Sequence, residues 1–367
     1  MGGNCAFIVI DSGFEQEALH RAHRVVGVWD LTCDLRMESD YNLSRHELDR
    51  SAGDPMKHGS EVLHRMLALV PDAPVVLITA FHDDRHVYRT GWSDGNINRP
   101  GWTEAYLWAV NLCKRNQLAS VANCSFGTLT HAMDGGGWES SQLAQVTGPG
   151  KSGHVMIAGI GVGDGRAGHA SFLLQPGESK SFYAGQEKNS EYNLWLGLGE
   201  NHNFHCGYHV DVYHNGHQIL YTNSNDLPRN MWNYRAQLMV RTNGGGIVEI
   251  KISRWDDPRC DDDFCAMKVD CWTEDGRFHN YIDPVLLYEP GIFPHVIGVG
   301  LRAQQYCPTQ YDLSSKPDVM VPGPGLISFR LPEVAAAANV ILSKDPTLDS
   351  DGVKKALGKY PDISKFI

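Results

Sequence analysis

The sequence predicts an α/β fold: a parallel sheet flanked by helices, with an antiparallel β module of sandwich or jelly-roll type inserted before the last part of the chain. Three observations predict it. Short, continuous apolar runs alternate with helical stripes through residues 1–165. From about 166 to 285 the texture changes to alternating stretches rich in Tyr, Trp, His, Asn and Gly. The α/β texture then returns through 286–367.

Taken in order, Ala6-Phe7-Ile8-Val9-Ile10 has the pattern of a strand buried on both faces, and residues 74–80 repeat it. Between them His58 to Val70 has helical spacing, with Val62, Met66 and Leu69 on one side. Trp102, Tyr106, Ala109, Val110 and Cys113 form a second helical stripe, and apolar runs at 119–124 and 154–162 predict two more strands. In the module, Tyr208 to Tyr213 and Ile247 to Ile252 alternate as half-buried strands, and Asn215-Gly216 signals a tight hairpin. Val296 to Gly300 is a further buried strand candidate. A helix is expected over 328–344 with an Ala-rich centre, and a last one starts near Ser350 or Asp351, either of which can cap it.

With 42% hydrophobic and 20% charged residues, the 367-residue chain can bury one large core and a smaller one. Acidic residues outnumber Lys and Arg by 43 to 32, and no basic block gives nucleic acid a footprint. The apolar stretch from Cys5 to Ile10 is too short for a signal-peptide core or a membrane span. On that reading the nine cysteines are reduced thiols in a cytoplasmic protein, although a secreted chain trimmed of its leader would have the same sequence.

Three polar segments fall where an α/β sheet builds sites, at strand ends and helix starts. They are Asp11-Ser12-Gly13, His58-Gly59-Ser60, and the stretch around Ser328. An Asp that orients a His, and a His that deprotonates a Ser, make up an acyl-transfer machine. Each short motif alone is more often an ordinary turn or cap.

The flanking residues add a resemblance. Val9-Ile10-Asp11-Ser12-Gly13 and His58-Gly59-Ser60 with Val62 resemble the aspartate and histidine motifs of the subtilisin-like serine proteases, the subtilases. Val121 to Gly127 resembles their substrate-binding strand, and Lys316-Pro317-Asp318-Val319-Met320-Val321-Pro322-Gly323 resembles the stretch before their nucleophile. Ile341 to Pro346 matches the pattern after it, and counting back through Pro332 places the serine at Ser328. Asp11-Ser12-Gly13 followed by Val25 to Asp30 is similar to the spore-germination subtilases, which carry a jelly-roll module before the serine. The resemblance implies a triad of Asp11, His58 and Ser328 and a protein or peptide substrate. It also implies substrate contacts at Ser125, Phe126, Gly127, Gly159 and Gly161, and an oxyanion region at Val162 and Gly163. Asp11 stands so near the start that the resemblance leads one to expect a mature form or a chain that folds without a propeptide.

Two departures matter. Leu326, Ile327, Phe329 and Arg330 crowd a serine that the family surrounds with small residues. Val162 falls where the family has an asparagine, and a valine side chain donates no hydrogen bond to an oxyanion. These favour the alternative, a catalytically silent subtilase fold that binds a peptide or partner. No cofactor is expected. Calcium would suit only Asp261-Asp262-Asp263, which reads as a solvated loop, and His202, His205, Cys206, His209, Asp211, His214 and His217 lack the tight spacing of a zinc quartet. Gly161 to Gly165 lacks the Lys-Ser/Thr of a phosphate loop.

Overall fold

The computed structural model describes residues 4–81, 100–127, 138–160, 168–197, 207–227, 236–255, 266–273, 276–282, 289–302, 316–322, 326–359 and 361–366. Its first part runs β1 (Cys5–Asp11), α1 (Gln16–Arg21), β2 (Val25–Asp30), β3 (Leu35–Glu38), α2 (Arg45–Asp49), α3 (His58–Leu69), β4 (Val75–Thr79), α4 (Trp102–Arg115), β5 (Ala119–Cys124), α5 (Trp138–Leu143) and β6 (His154–Gly159). The β-rich part follows as β7 (His169–Leu174), β8 (Ser179–Gln186), β9 (Ser190–Gly197), β10 (Tyr208–His214), β11 (His217–Asn223), β12 (Ala236–Thr242), β13 (Gly246–Arg254), β14 (Met267–Thr273) and β15 (Arg277–Phe278). The chain closes with β16 (Ile297–Leu301), β17 (Val319–Val321), α6 (Leu331–Lys344) and α7 (Ser350–Leu357).

The large sheet has eight strands in the order β17-β16-β6-β5-β1-β4-β2-β3. Every pairing is parallel except the edge pair β2–β3. The apolar runs have no polar alternation because both faces are covered. Along β1, Phe7 and Val9 face a core shared with α3, α6 and α7, whereas Ala6, Ile8 and Ile10 face a core shared with α4. β4, β5 and β6 divide their side chains the same way, for example Leu77 against Ile78 and Val155 against Met156. Ala335 to Ala338 are all buried, and these small side chains let α6 lie close on β1 and β5.

The module is two antiparallel sheets, one of order β11-β10-β13-β8-β15 and one of order β12-β9-β14-β7. They enclose a core of their own, with Val210, Val212, Val248 and Ile250 from one sheet and Tyr192, Leu194, Val269 and Cys271 from the other. Asn215 and Gly216 both take positive φ, 51° and 80°, the conformation a two-residue hairpin between β10 and β11 demands. Trp195 and Trp272 leave the module's core and join the cluster beneath α4. Near its two ends the module's chain meets itself, as Ser171 donates its N–H to the Tyr281 carbonyl at 2.9 Å.

Two sequence expectations need correction. The helix predicted from 328 begins at Leu331. A single 3-10 turn, Ile327–Phe329, precedes it and carries Ser328, and the helix starts where Pro332 sits in its first turn. The last helix is capped by Asp349, whose carboxylate accepts the Gly352 N–H, and not by Ser350 or Asp351. No described helix is long and apolar enough to cross a membrane.

Candidate active site

Parallel strands end together, so the carboxyl ends of β1, β5 and β6 share one rim of the sheet. β1 ends on Asp11, β5 leads into Ser125, and β6 ends on Gly159. α3 enters this rim through its first residue, His58. Its approach is close: a Cβ on Gly59 would lie 2.3 Å from the Gly13 carbonyl oxygen and 2.9 Å from Asp11 Cβ. Only a glycine permits that contact.

Asp11 is fully buried, and its Oδ1 accepts from His58 Nδ1 at 2.7 Å and from the Ser12 N–H at 2.8 Å. The pairing sets Nδ1 as the donor toward the carboxylate and leaves Nε2 free to act as a base. Burial pulls the imidazolium down, but the hydrogen bond and charge of Asp11, with the charge of Asp54 behind them, outweigh it. His58 therefore titrates above its ordinary value. Cys124, on the neighbouring strand, is held as a neutral thiol by burial and by the nearby charges of Asp11 and Glu139, so it is not a competing nucleophile.

The turn bearing Ser328 touches the rim at three consecutive residues. Ile327 packs on Gly159, where an added Cβ would meet its Cγ2 at 3.0 Å. The Ser328 carbonyl accepts a long 3.3 Å bond from the Ser125 hydroxyl, which itself accepts from Asn123 Nδ2 at 2.7 Å. Phe329 places its ring 5.4 Å from the His58 ring, tilted by 38°, and Arg65 stacks over Phe329 at 5.0 Å. Among the described residues the Ser328 hydroxyl makes no hydrogen bond to His58.

The structure thus brings Asp11, His58, Ser125, Gly127, Gly159 and the Ser328 turn to one end of the sheet. The Phe126 ring is turned inward, packed edge-on against Phe81 and Trp102 at 5.7 and 5.5 Å, so its backbone rather than its side chain is what it offers at the rim. Gly161, Val162 and Gly163 lie outside the described residues, as do His202, His205, Cys206 and Asp261-Asp262-Asp263. Among the described residues no group of three or more His, Cys, Asp or Glu could hold a metal ion, and His209 and Asp211 share the outer face of β10 with the carboxylate engaged by Gln218 at 2.7 Å.

Sequence reasoning overlooked Asp54. Its Oδ1 accepts from the Ser12 hydroxyl at 2.7 Å, and its Oδ2 accepts from the Ser60 N–H and hydroxyl at 2.8 and 2.7 Å. The signal was an acidic residue shortly before a helix start.

No protein-family model matches the sequence, and no curated protein matches it. Among solved structures, the Clostridium perfringens CspB protease superposes with a TM-score of 0.67 over 97% of this chain and 86% of that one, at 13% identity. At that identity the likeness speaks to fold alone. A cold-adapted subtilisin-like serine proteinase aligns over 99% and 86% of the two chains at 12% identity, but its TM-score of 0.40 carries no argument. The parallel sheet, the helices on both of its faces and this superposition give one conclusion: the chain has a subtilisin-like fold.

Proposed function

We propose that the protein is a serine endopeptidase acting through an Asp-His-Ser triad and an acyl-enzyme. Ser328 attacks the scissile carbonyl. His58 Nε2 takes the serine proton and then delivers it to the leaving amine, while Asp11 holds the imidazole and stabilises its charged form. An extended protein or peptide substrate adds as a strand along Ser125-Phe126-Gly127, with Gly159 and Gly161 as further substrate contacts that the family resemblance implies. The single observation that carries this reading is the 2.7 Å bond from His58 Nδ1 to the buried Asp11 carboxylate, beside the Ser328 turn. A buried carboxylate on one imidazole nitrogen also occurs in the module, where Asp270 meets His169 Nε2 at 3.0 Å, so it is the place of the Asp11–His58 pair beside the Ser328 turn that gives it catalytic meaning.

One observation favours a second reading, a silent peptide- or partner-binding protein. Phe329, not the Ser328 hydroxyl, is the neighbour against the His58 ring. A fluorophosphonate probe separates the two. Covalent labelling that Ser328→Ala and His58→Ala both abolish supports the peptidase. A folded wild type that the probe leaves unlabelled supports the silent binder.

A further inference from the structure

We propose that Asp54 is a positioning residue for His58: its carboxylate locks the end of β1 to the first turn of α3 and so holds the imidazole on Asp11. The inference deepens the peptidase reading and rests on it for its catalytic meaning, but not for its geometry.

The first N–H groups of any helix lack partners within it, and an N-cap side chain ordinarily supplies one. The N-cap of α3 is Lys57, at φ 59°, and its side chain caps nothing. The donors go elsewhere. The Ser60 N–H is taken by Asp54 Oδ2, and the Gly59 N–H by the Ser12 hydroxyl oxygen at 3.1 Å. Ser12 in turn donates to Asp54 Oδ1, and the Ser60 hydroxyl, which donates to Oδ2, accepts the Glu15 N–H at 2.8 Å.

One carboxylate therefore ties Ser12, which follows Asp11, to Ser60, and holds the Ser12 hydroxyl that takes the Gly59 N–H; Gly59 and Ser60 both follow His58. An ordinary cap would satisfy the helix alone. This one reaches across to the strand that carries His58's partner, and Ser12, Asp54 and Ser60 are all buried. There is no slack to absorb its loss, because Gly59 already touches the Gly13 carbonyl and Asp11. Near-attack geometry is sensitive at this scale.

Among the described residues, Asp11 bonds His58 directly and Asp54 lies behind it. Arg65 sits beyond Phe329 and is paired with Glu61 at 2.7 Å, Arg330 is paired with Glu333 at 2.9 Å, and the Lys57 side chain is exposed. Removing the Asp54 charge should therefore act on His58 in one direction: the imidazolium loses support.

The test is an NMR titration of the His58 ring in the whole chain, assigned by the signal that His58→Gln removes. Asp54→Asn keeps the size of the side chain, loses the charge and cannot accept at both oxygens. Its expected result is a His58 midpoint lower by at least about half a pH unit, with the Nδ1 proton exchanging faster. Should Asp54→Asn fail to fold, Ser12→Ala decides, since it keeps the Asp54 charge and the Ser60 bonds but cuts the tie to Gly59; a lower midpoint is expected there too. A folded variant of either kind with an unchanged midpoint overturns the proposal. This readout needs no hydrolysis, so it stands apart from the peptidase test. Where Ser328-dependent hydrolysis is present, Asp54→Asn should also lower kcat by roughly tenfold or more with KM within about twofold. An unchanged kcat would overturn the positioning role.

Discussion

Phe329 covers one side of His58, the two ring centroids 5.4 Å apart. Burial is the influence that pulls the imidazolium down, and this ring lies against the imidazole. Phe329→Ala should therefore raise the His58 midpoint further, by about half a pH unit. It should also remove the seat of the Arg65 guanidinium, at a cost of about 1 kcal/mol. NMR titration and a denaturant melt check the two parts, and a lower midpoint in the variant would mean that the ring does not act as a shield.

The base must be neutral to act, so Ser328-dependent hydrolysis should rise with pH through a midpoint above the ordinary 6.5. Asp11→Asn should move that midpoint down and reduce turnover by about 10⁴. The stability consequence has a definite sign. The folded midpoint is raised, so the pair's contribution is full below the unfolded value and is lost as pH rises through the folded one. Melts of wild type and Asp11→Asn should differ more at about pH 5.5 than at about pH 9. The reverse order would contradict the raised midpoint.

By the family resemblance, Val162 takes the position of the asparagine that donates to the oxyanion. We expect slow turnover in the wild type and a gain of at least roughly tenfold in Val162→Asn, below the full effect of such a donor because Leu326 and Phe329 crowd the serine. Peptide hydrolysis, each protein corrected by its Ser328→Ala version, gives the answer. A fast wild type that the substitution leaves unchanged would show that another group already fills the role.

Gly59→Ala drives a methyl group into the Gly13 carbonyl oxygen. The Gly13 oxygen is backbone and Asp11 Cβ is fixed to the buried end of β1, so neither can rotate away, and a loss of about 3 kcal/mol is expected. The variant should also lose probe labelling at Ser328. A thermal midpoint within a degree or so of wild type would show that α3 can withdraw from β1 at little cost.

His154 is buried beside Ser120, and burial, helped by the charge of Lys114, holds its midpoint down to about 4. Here the folded midpoint lies below the unfolded one, so stability should fall as pH drops from about 6.5 toward about 4, by up to about 3 kcal/mol. His154→Gln should flatten that part of the curve. An acid-side slope unchanged in the variant would assign the loss to other groups.

The sequence made the frame legible because its signals were redundant. A strand buried on both faces must be apolar at every position, and Ala6 to Ile10 could satisfy little else. The hairpin at Asn215-Gly216 was equally constrained, since few residue pairs accept two positive φ angles in succession. Asp11 and His58 were legible from the motifs on either side of them. What stayed hidden depends on direction rather than on residue type. Phe126 at a strand exit can turn to the rim or to the core, and only the positions of Phe81 and Trp102 decide it. Asp54 looked like an ordinary pre-helix acid, because its second partner, Ser12, is distant in sequence. Ser328 was assigned by its distance from Pro332, and the same proline starts the helix after that serine rather than at it.

β6 and β16 are hydrogen-bonded neighbours in the large sheet, Ile157 opposite Ile297, although the whole module separates them in sequence. The module thus occupies a single crossover. The entropy of closing such a connection grows only with the logarithm of its length, about 0.6 kcal/mol for each doubling. In those terms the host sheet hardly registers how long its guest is, and shortening the connection should leave β6 and β16 able to find each other. Among the described residues, Trp195 and Trp272 tie guest to host, packing into the apolar layer under α4. A shortened descendant of this chain would keep its sheet but inherit a bare patch, and its first compensating changes should appear on the residues those two rings now cover.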